Sequence, residues 1–118
     1  MAGVERPEKV LIRGRNMFPL LQGRQQEWDE NFYCEYSVHN SAKTHMRGYR
    51  TPNWKLMIDY LNDNRAELYD LQADPGETKN LYLSTDPRIV KARTHLTTKM
   101  HNRMREIKDP VYKLIEKD

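Results

Sequence analysis

Between Cys34 and Arg47 the chain places a thiol, two imidazoles and a guanidinium close together in sequence: Cys34, His39, His45 and Arg47. A thiol beside a base could act as a nucleophile, with His39 or His45 taking its proton. The other chemistry open to this group is anion binding, because His39, His45 and Arg47 lie on or beside one loop between strands. Each possibility has a plainer counterpart. Cys34 sits on the apolar side of an alternating segment, where a free cysteine behaves as a small hydrophobe. The loop can equally be a solvated connection.

Other groups are less suggestive of chemistry. His95 and His101 are six apart, which misses the i, i+4 spacing of a helical metal pair, and both read as surface or boundary residues. Asp70, Asp74 and Glu77 could suggest calcium, yet the twelve-residue loop with its closing glutamate is absent. The lone cysteine cannot form an internal disulfide, and no Cys/His cluster has zinc spacing, so no metal site is expected. Nor does the chain carry a P-loop, a dinucleotide-binding glycine pattern, a GxSxG elbow or an HExxH.

The elements that would position these residues follow from periodicity. Phe32, Cys34, Tyr36 and Val38 alternate with Tyr33, Glu35 and Ser37, which predicts a first strand. THMRGYR predicts a second, and WKLMIDYL a third with Trp54, Leu56, Ile58 and Tyr60 on one face. Asn62-Asp63-Asn64 predicts a hairpin turn into a fourth strand, Ala66 to Leu71. Asp74-Pro75-Gly76-Glu77 then reads as a turn in which Pro presets φ and Gly supplies positive φ. Asp86-Pro87 reads as an N-cap with Pro at the first helical position. Behind it Ile89, Ala92, Leu96, Met100, Arg103 or Met104, and Ile107 keep helical spacing, and Asp109-Pro110 ends the helix. VYKLIEKD forms a short amphipathic tail, and a short helical turn is expected around Pro19 to Leu21. The expected fold is α+β: a four-stranded antiparallel sheet with one long C-terminal helix packed on a face. Residues 1–30, punctuated by Pro7, Gly14, Pro19 and Gly23, read as a lead-in segment, and 31–118 as the folded unit.

Composition bounds the core. Leu, Ile, Val and Phe make up only 23 of the 118 residues, so seven Tyr, six Met and two Trp must supply much of the buried surface. A thin core with no disulfide predicts a domain that leans on a partner. The net charge of +3 comes from the last third, where residues 87–118 carry nine Lys/Arg against four Asp/Glu. Charges of both signs interleave there, which argues against nucleic acid as a partner. No apolar run is long enough to span a membrane, and MAGVERPEKV lacks the apolar core of a signal peptide.

Several spaced motifs, in one order, carry a resemblance. Arg50-Thr51, Trp54-Lys55-Leu56, the run Glu67-Leu68-Tyr69-Asp70-Leu71, the turn Asp74-Pro75-Gly76-Glu77 and Asn80-Leu81 match the C-terminal subdomain of the type I, formylglycine-dependent sulfatases of the alkaline phosphatase superfamily. Upstream, AGVERP resembles the end of that family's last catalytic-domain helix, and GRNMFPLLQG its G-x-(S/N)-x-x-P-L-L-x-G segment. The resemblance covers nearly the whole chain to Ile107, with residues 1–30 corresponding to the end of the catalytic domain and its linker.

What it implies is a sulfatase subdomain, expected to pack against the catalytic domain and help wall the substrate cleft. The family's CxPSR-type motif is absent, since Cys34 is followed by Glu35-Tyr36-Ser37, and no catalytic or calcium residue carries over. Calcium and formylglycine would belong to the larger domain, with no cofactor in this chain. The loop residues His39, His45 and Arg47 are the candidates for touching a substrate's non-sulfated portion. The segment Glu67 to Leu71 with Asp74 to Glu77 is a structural motif. The alternative function is a free-standing interaction module that binds a partner chain or a sulfated polyanion. An autonomous hydrolase using Cys34 is a third. Sulfatases of this type are commonly exported or lysosomal, but the sequence sets no compartment and names no substrate.

Overall fold

A computed structural model of the chain describes residues 8–10, 14–24 and 27–116. The expected similarity of AGVERP to a helix end falls on residues 2–7, outside the described residues. Four strands follow one another, β1 (Phe32–His39), β2 (Lys43–Arg50), β3 (Trp54–Asp59) and β4 (Glu67–Asp70). Each pairs antiparallel with the next, giving a meander in chain order. Short α1 (Phe18–Leu21) precedes the sheet, and α2 (Pro87–Glu106) and α3 (Tyr112–Ile115) follow it. This is the α+β arrangement that the two periodicities predict.

The register sorts side chains onto two faces. Tyr33, Tyr49, Leu56 and Leu68 are successive partners across all four strands and form one apolar row. Onto this face α2 sets Ile89, Leu96, Met100 and Met104, the positions its helical spacing selects. Leu56, Leu68, Met100 and Met104 are sealed from solvent. Each contributes about 1.5–3 kcal/mol through burial. Where the spacing left Arg103 or Met104 open, Met104 takes the core and Arg103 pairs with Glu106.

The first strand departs from expectation. Its apolar residues Phe32, Cys34, Tyr36 and Val38 pair with Arg50, Gly48, Met46 and Thr44, on the face turned away from α2. The polar set Tyr33, Glu35 and Ser37 lies on the α2 side, where the partners are Tyr49, Arg47 and His45. Cys34 is accordingly half-buried against its neighbours, not a core residue.

Local chemistry sets the ends of the elements. Asp86 caps α2 by accepting a 2.8 Å hydrogen bond from the Arg88 N–H, with Pro87 in the first turn. The other end closes as a Schellman motif: Asp109 N–H donates to Met104 C=O and Lys108 N–H to Arg105 C=O. Lys108 takes the left-handed conformation there, φ +55°, in the place glycine usually fills. The acidic turn holds a related surprise. Positive φ falls on Glu77 at +53°, not on Gly76. Glu77 is held there by its N–H bond to Asp74 C=O and by an ion pair with Lys55. The Asp74 carboxylate completes the turn by accepting from the Thr78 and Lys79 N–H groups at 2.8 Å each.

Candidate functional site

Two of the residues singled out for substrate contact, His39 and His45, meet at the α2-side edge of the sheet, where β1 ends and β2 begins. His39 lies at the end of β1, opposite Lys43, and is exposed. Two residues along β2, half-buried His45 tilts its ring toward His39, with centroids 4.7 Å apart. His45 Nδ1 lies 3.0 Å from Ser37 Oγ, its cross-strand partner. Strand alternation places His45 and Arg47 on one side of β2, so this edge and the interior beneath it are linked.

Arg47 occupies the interior. Its side chain is 3% exposed and that of Asp109 is fully enclosed. Nε donates to Asp109 Oδ2 at 2.6 Å and one terminal nitrogen to Oδ1 at 3.0 Å, a bidentate pair. The other terminal nitrogen donates to Ser37 Oγ at 3.1 Å and to the Met46 carbonyl at 2.8 Å. Tyr33 adds its hydroxyl to Asp109 Oδ2 at 2.5 Å. Burial alone would raise the Asp109 carboxyl, but the hydrogen bonds from Arg47 and Tyr33 outweigh it and hold the group at about 2. Burial and the Asp109 hydrogen bond push the Tyr33 phenol up, so it stays a donor. The guanidinium thus reaches no solvent. It orders Ser37, and Ser37 in turn contacts His45. Asp109 and Tyr33 were not among the residues marked by sequence. The available signal was Arg47 itself, an arginine on the same side of β2 as Tyr49, where an inward charge requires a carboxylate.

A second buried carboxylate secures the neighbouring turn. Asp59 accepts from Thr44 Oγ1 at 2.6 Å, His45 N–H at 3.0 Å, Leu61 N–H at 3.1 Å and Asn62 Nδ2 at 2.7 Å. Burial opposes ionisation, and this set of donors overcomes it, holding the carboxyl well below the usual range. The structural motif contributes a third: Asp70 accepts from the Gln72 and Ala73 N–H groups and from Arg88. Asn80, beside it, accepts from Leu68 N–H and donates to Ala66 C=O, tying the segment after the acidic turn back to β4.

These arrangements decide what the chain could hold. Asp59, Asp70, Asp74 and Asp109 direct their oxygens at N–H, hydroxyl and guanidinium donors, which is not the chemistry of a calcium shell. Among the described residues no group of three or more His, Cys, Asp or Glu side chains could share a metal ion. Cys34 lies on the opposite sheet face from His45, and burial pushes its thiol up. His101 stands apart from the histidine edge: Nε2 is 2.9 Å from the Tyr60 hydroxyl and the ring packs edge-on to Tyr112. His95 is exposed. No helix among the described residues is long and apolar enough to cross a membrane.

The site lies on a small α+β domain, a four-stranded meander with a capped helix on one face. Comparison with known proteins says of which class. The family model described as N-sulphoglucosamine sulphohydrolase, C-terminal, matches residues 1–115, and the chain belongs to this family of sulfatase C-terminal domains. An N-acetylglucosamine-6-O-sulfatase of Bacteroides thetaiotaomicron is 34% identical over 87 residues, 69% of this chain. A Delta 4,5-hexuronate-2-O-sulfatase of the same organism is 33% identical over 93 residues, 77% of this chain. A solved structure of BT4656 in complex with its substrate D-glucosamine-2-N,6-O-disulfate superposes with a TM-score of 0.73 at 26% identity, over 91% of this chain. The chain spans only 15% and 18% of the two curated relatives, and 22% of the solved chain.

Proposed function

We propose that this chain is the C-terminal part of a sulfatase acting on a sulfated saccharide, where it packs against the catalytic domain and helps wall the substrate cleft without catalysing by itself. The observation that carries this is the family match over residues 1–115, together with relatives named for sulfated amino sugars and uronates. The side-chain chemistry supports it. Every buried carboxylate described above is committed to holding a turn or a helix end, and Cys34 lies on the sheet face opposite His45, so the described residues bring no hydrolase constellation together.

On this reading the histidine edge faces the cleft. His39 and His45 offer two imidazoles to a saccharide's hydroxyl or anionic groups, while Arg47 positions His45 through Ser37. Calcium and formylglycine chemistry would come from the catalytic domain. The test is a sulfatase assay on a chromogenic aryl sulfate and on glucosamine-6-sulfate, with the chain alone and joined to a sulfatase catalytic portion. Turnover only in the joined protein is the expected outcome, and turnover by the chain alone would overturn the proposal. His39→Ala with His45→Ala in the joined protein should raise KM for the saccharide about tenfold while sparing the small aryl sulfate.

A further inference from the structure

The two faces of the sheet are covered very differently. One is filled by α2; the other carries Phe32, Cys34, Tyr36 and Val38 from β1, Met46 from β2 and Met57 from β3. Phe32 and Tyr36 are 61% and 60% exposed, and the remaining four are only half-buried. The centre of this face is level as well as apolar. A Cβ at Gly48 would stand 2.5 Å from both Cys34 Sγ and Met57 Sδ, so the absence of a side chain lets the two sulfur groups close over β2. Charge flanks the patch on the same face: Arg50 lies between Phe32 and Lys55, Glu67 lies opposite Met57, Lys55 pairs with Glu77, and Asp59 with Arg65 and its ring of donors. An apolar centre within a polar rim is the anatomy of a protein interface, and a lone soluble domain rarely leaves so many large apolar groups in one patch.

We infer that this α2-distal sheet face is the surface the sulfatase catalytic portion covers; the inference rests on the proposed function and adds the face. The occupant follows from length. The family members that share this fold continue for most of their chains beyond it, the matched part being 22% of the solved one. Charge argues against the alternatives. The outward side of α2 carries Lys91, Thr94, His95, Thr98, Asn102 and Arg105, all exposed and polar. The described part of the lead-in segment lies mainly on the α2 side, where Arg15 and Trp28 line a recess with Tyr33, Tyr49 and Arg103, and it reaches the uncovered face only at its corner, where Phe32 lines the same recess.

Cys34, in the middle of the patch, serves as the probe. The chain replaces the matching segment of the Bacteroides N-acetylglucosamine-6-O-sulfatase, and alkylation by N-ethylmaleimide is followed on the Cys34 peptide in the joined protein and in the chain alone. Expected is an active joined protein in which Cys34 reacts at least tenfold more slowly. Tyr36→Asp should abolish activity of the joined protein, and Lys91→Glu on the outward side of α2 should not. An active joined protein whose Cys34 reacts as fast as in the free chain, or which tolerates Tyr36→Asp, overturns the assignment of the face and leaves the proposed function standing. A folded but inactive joined protein overturns the proposed function, and the inference with it. Concentration-dependent protection of Cys34 in the chain alone, with a dimer in sedimentation, would give the face to a second copy and also overturn it.

Discussion

Arg47 and Asp109 form the costliest pair of residues to separate, because both are enclosed and each satisfies the other bidentately. Asp109→Ala would leave a guanidinium buried without its counter-charge, and a loss of about 3–5 kcal/mol is expected, read as a shift in the urea midpoint. The same carboxyl sets an acid limit. Its folded value, about 2, lies below the unfolded value, so its contribution is complete above roughly pH 4 and is lost as pH falls through 2. His101 acts nearer neutrality. Burial, reinforced by Arg105, lowers it, so the fold prefers the neutral ring against Tyr60. The unfolded chain then takes up a proton first as pH falls below about 6.5, and stability drops over that window. Thermal midpoints measured from pH 7.5 to 5.0 should fall, and His101→Gln should flatten the slope. Neither pairing was legible in sequence. Asp109 reads as a helix terminator before Pro110, and nothing local links it to a strand 62 positions earlier.

Among the elements, those with a strong period were read well, as was the Asp86-Pro87 start of α2, whereas the face of β1 and two left-handed residues were not. WKLMIDYL and ELYDL reveal their buried positions because Trp54, Leu56 and Ile58 recur every second residue and Leu68 stands between Glu67 and Tyr69. Leu68, with no solvent exposure, should cost about 2–5 kcal/mol when cut to Ala, whereas Leu71, outside β4 and half-buried, should cost less. Equal shifts in the two unfolding midpoints would contradict this packing. Alternation alone did not tell which side of β1 meets α2, because a period of two gives two faces and no sign. The choice is made by Tyr33 and Ser37, whose partners Asp109 and Arg47 lie on the helix side. Positive φ was legible at Asn64, in the Asn62-Asp63-Asn64 turn, and hidden elsewhere. Gly76 looks like the residue to adopt it, yet Glu77 and Lys108 do. Left-handed geometry costs a side-chain-bearing residue about 1–2 kcal/mol, partly offset by the unfolded-state entropy that glycine adds. Lys108→Gly should therefore raise stability by up to about 1 kcal/mol in denaturant melts.

For the whole molecule, the expected thin core is the observed one, a single layer between sheet and helix built from leucines, methionines and tyrosines. Its radius of gyration is 16.9 Å against about 13.5 Å for a compact chain of this length, so the shape is drawn out. The family was legible because its motifs coincide with turns the backbone needs: ELYD is β4, and the DPGE turn is held by Asp74. The uncovered sheet face was not, since exposure is a property of the assembled sheet. One feature of the fold also bears on genetic variation. Losing the last residues of a domain is ordinarily tolerated when little packs against them. Here Asp109 lies beyond the end of α2, and a stop codon at its position would leave all four strands and the long helix encoded. Yet it would strand Arg47 inside the sheet with no counter-charge and withdraw Val111 from the core. A nonsense variant that late in the domain should behave as a null allele, cleared by proteolysis, not as a mild shortening.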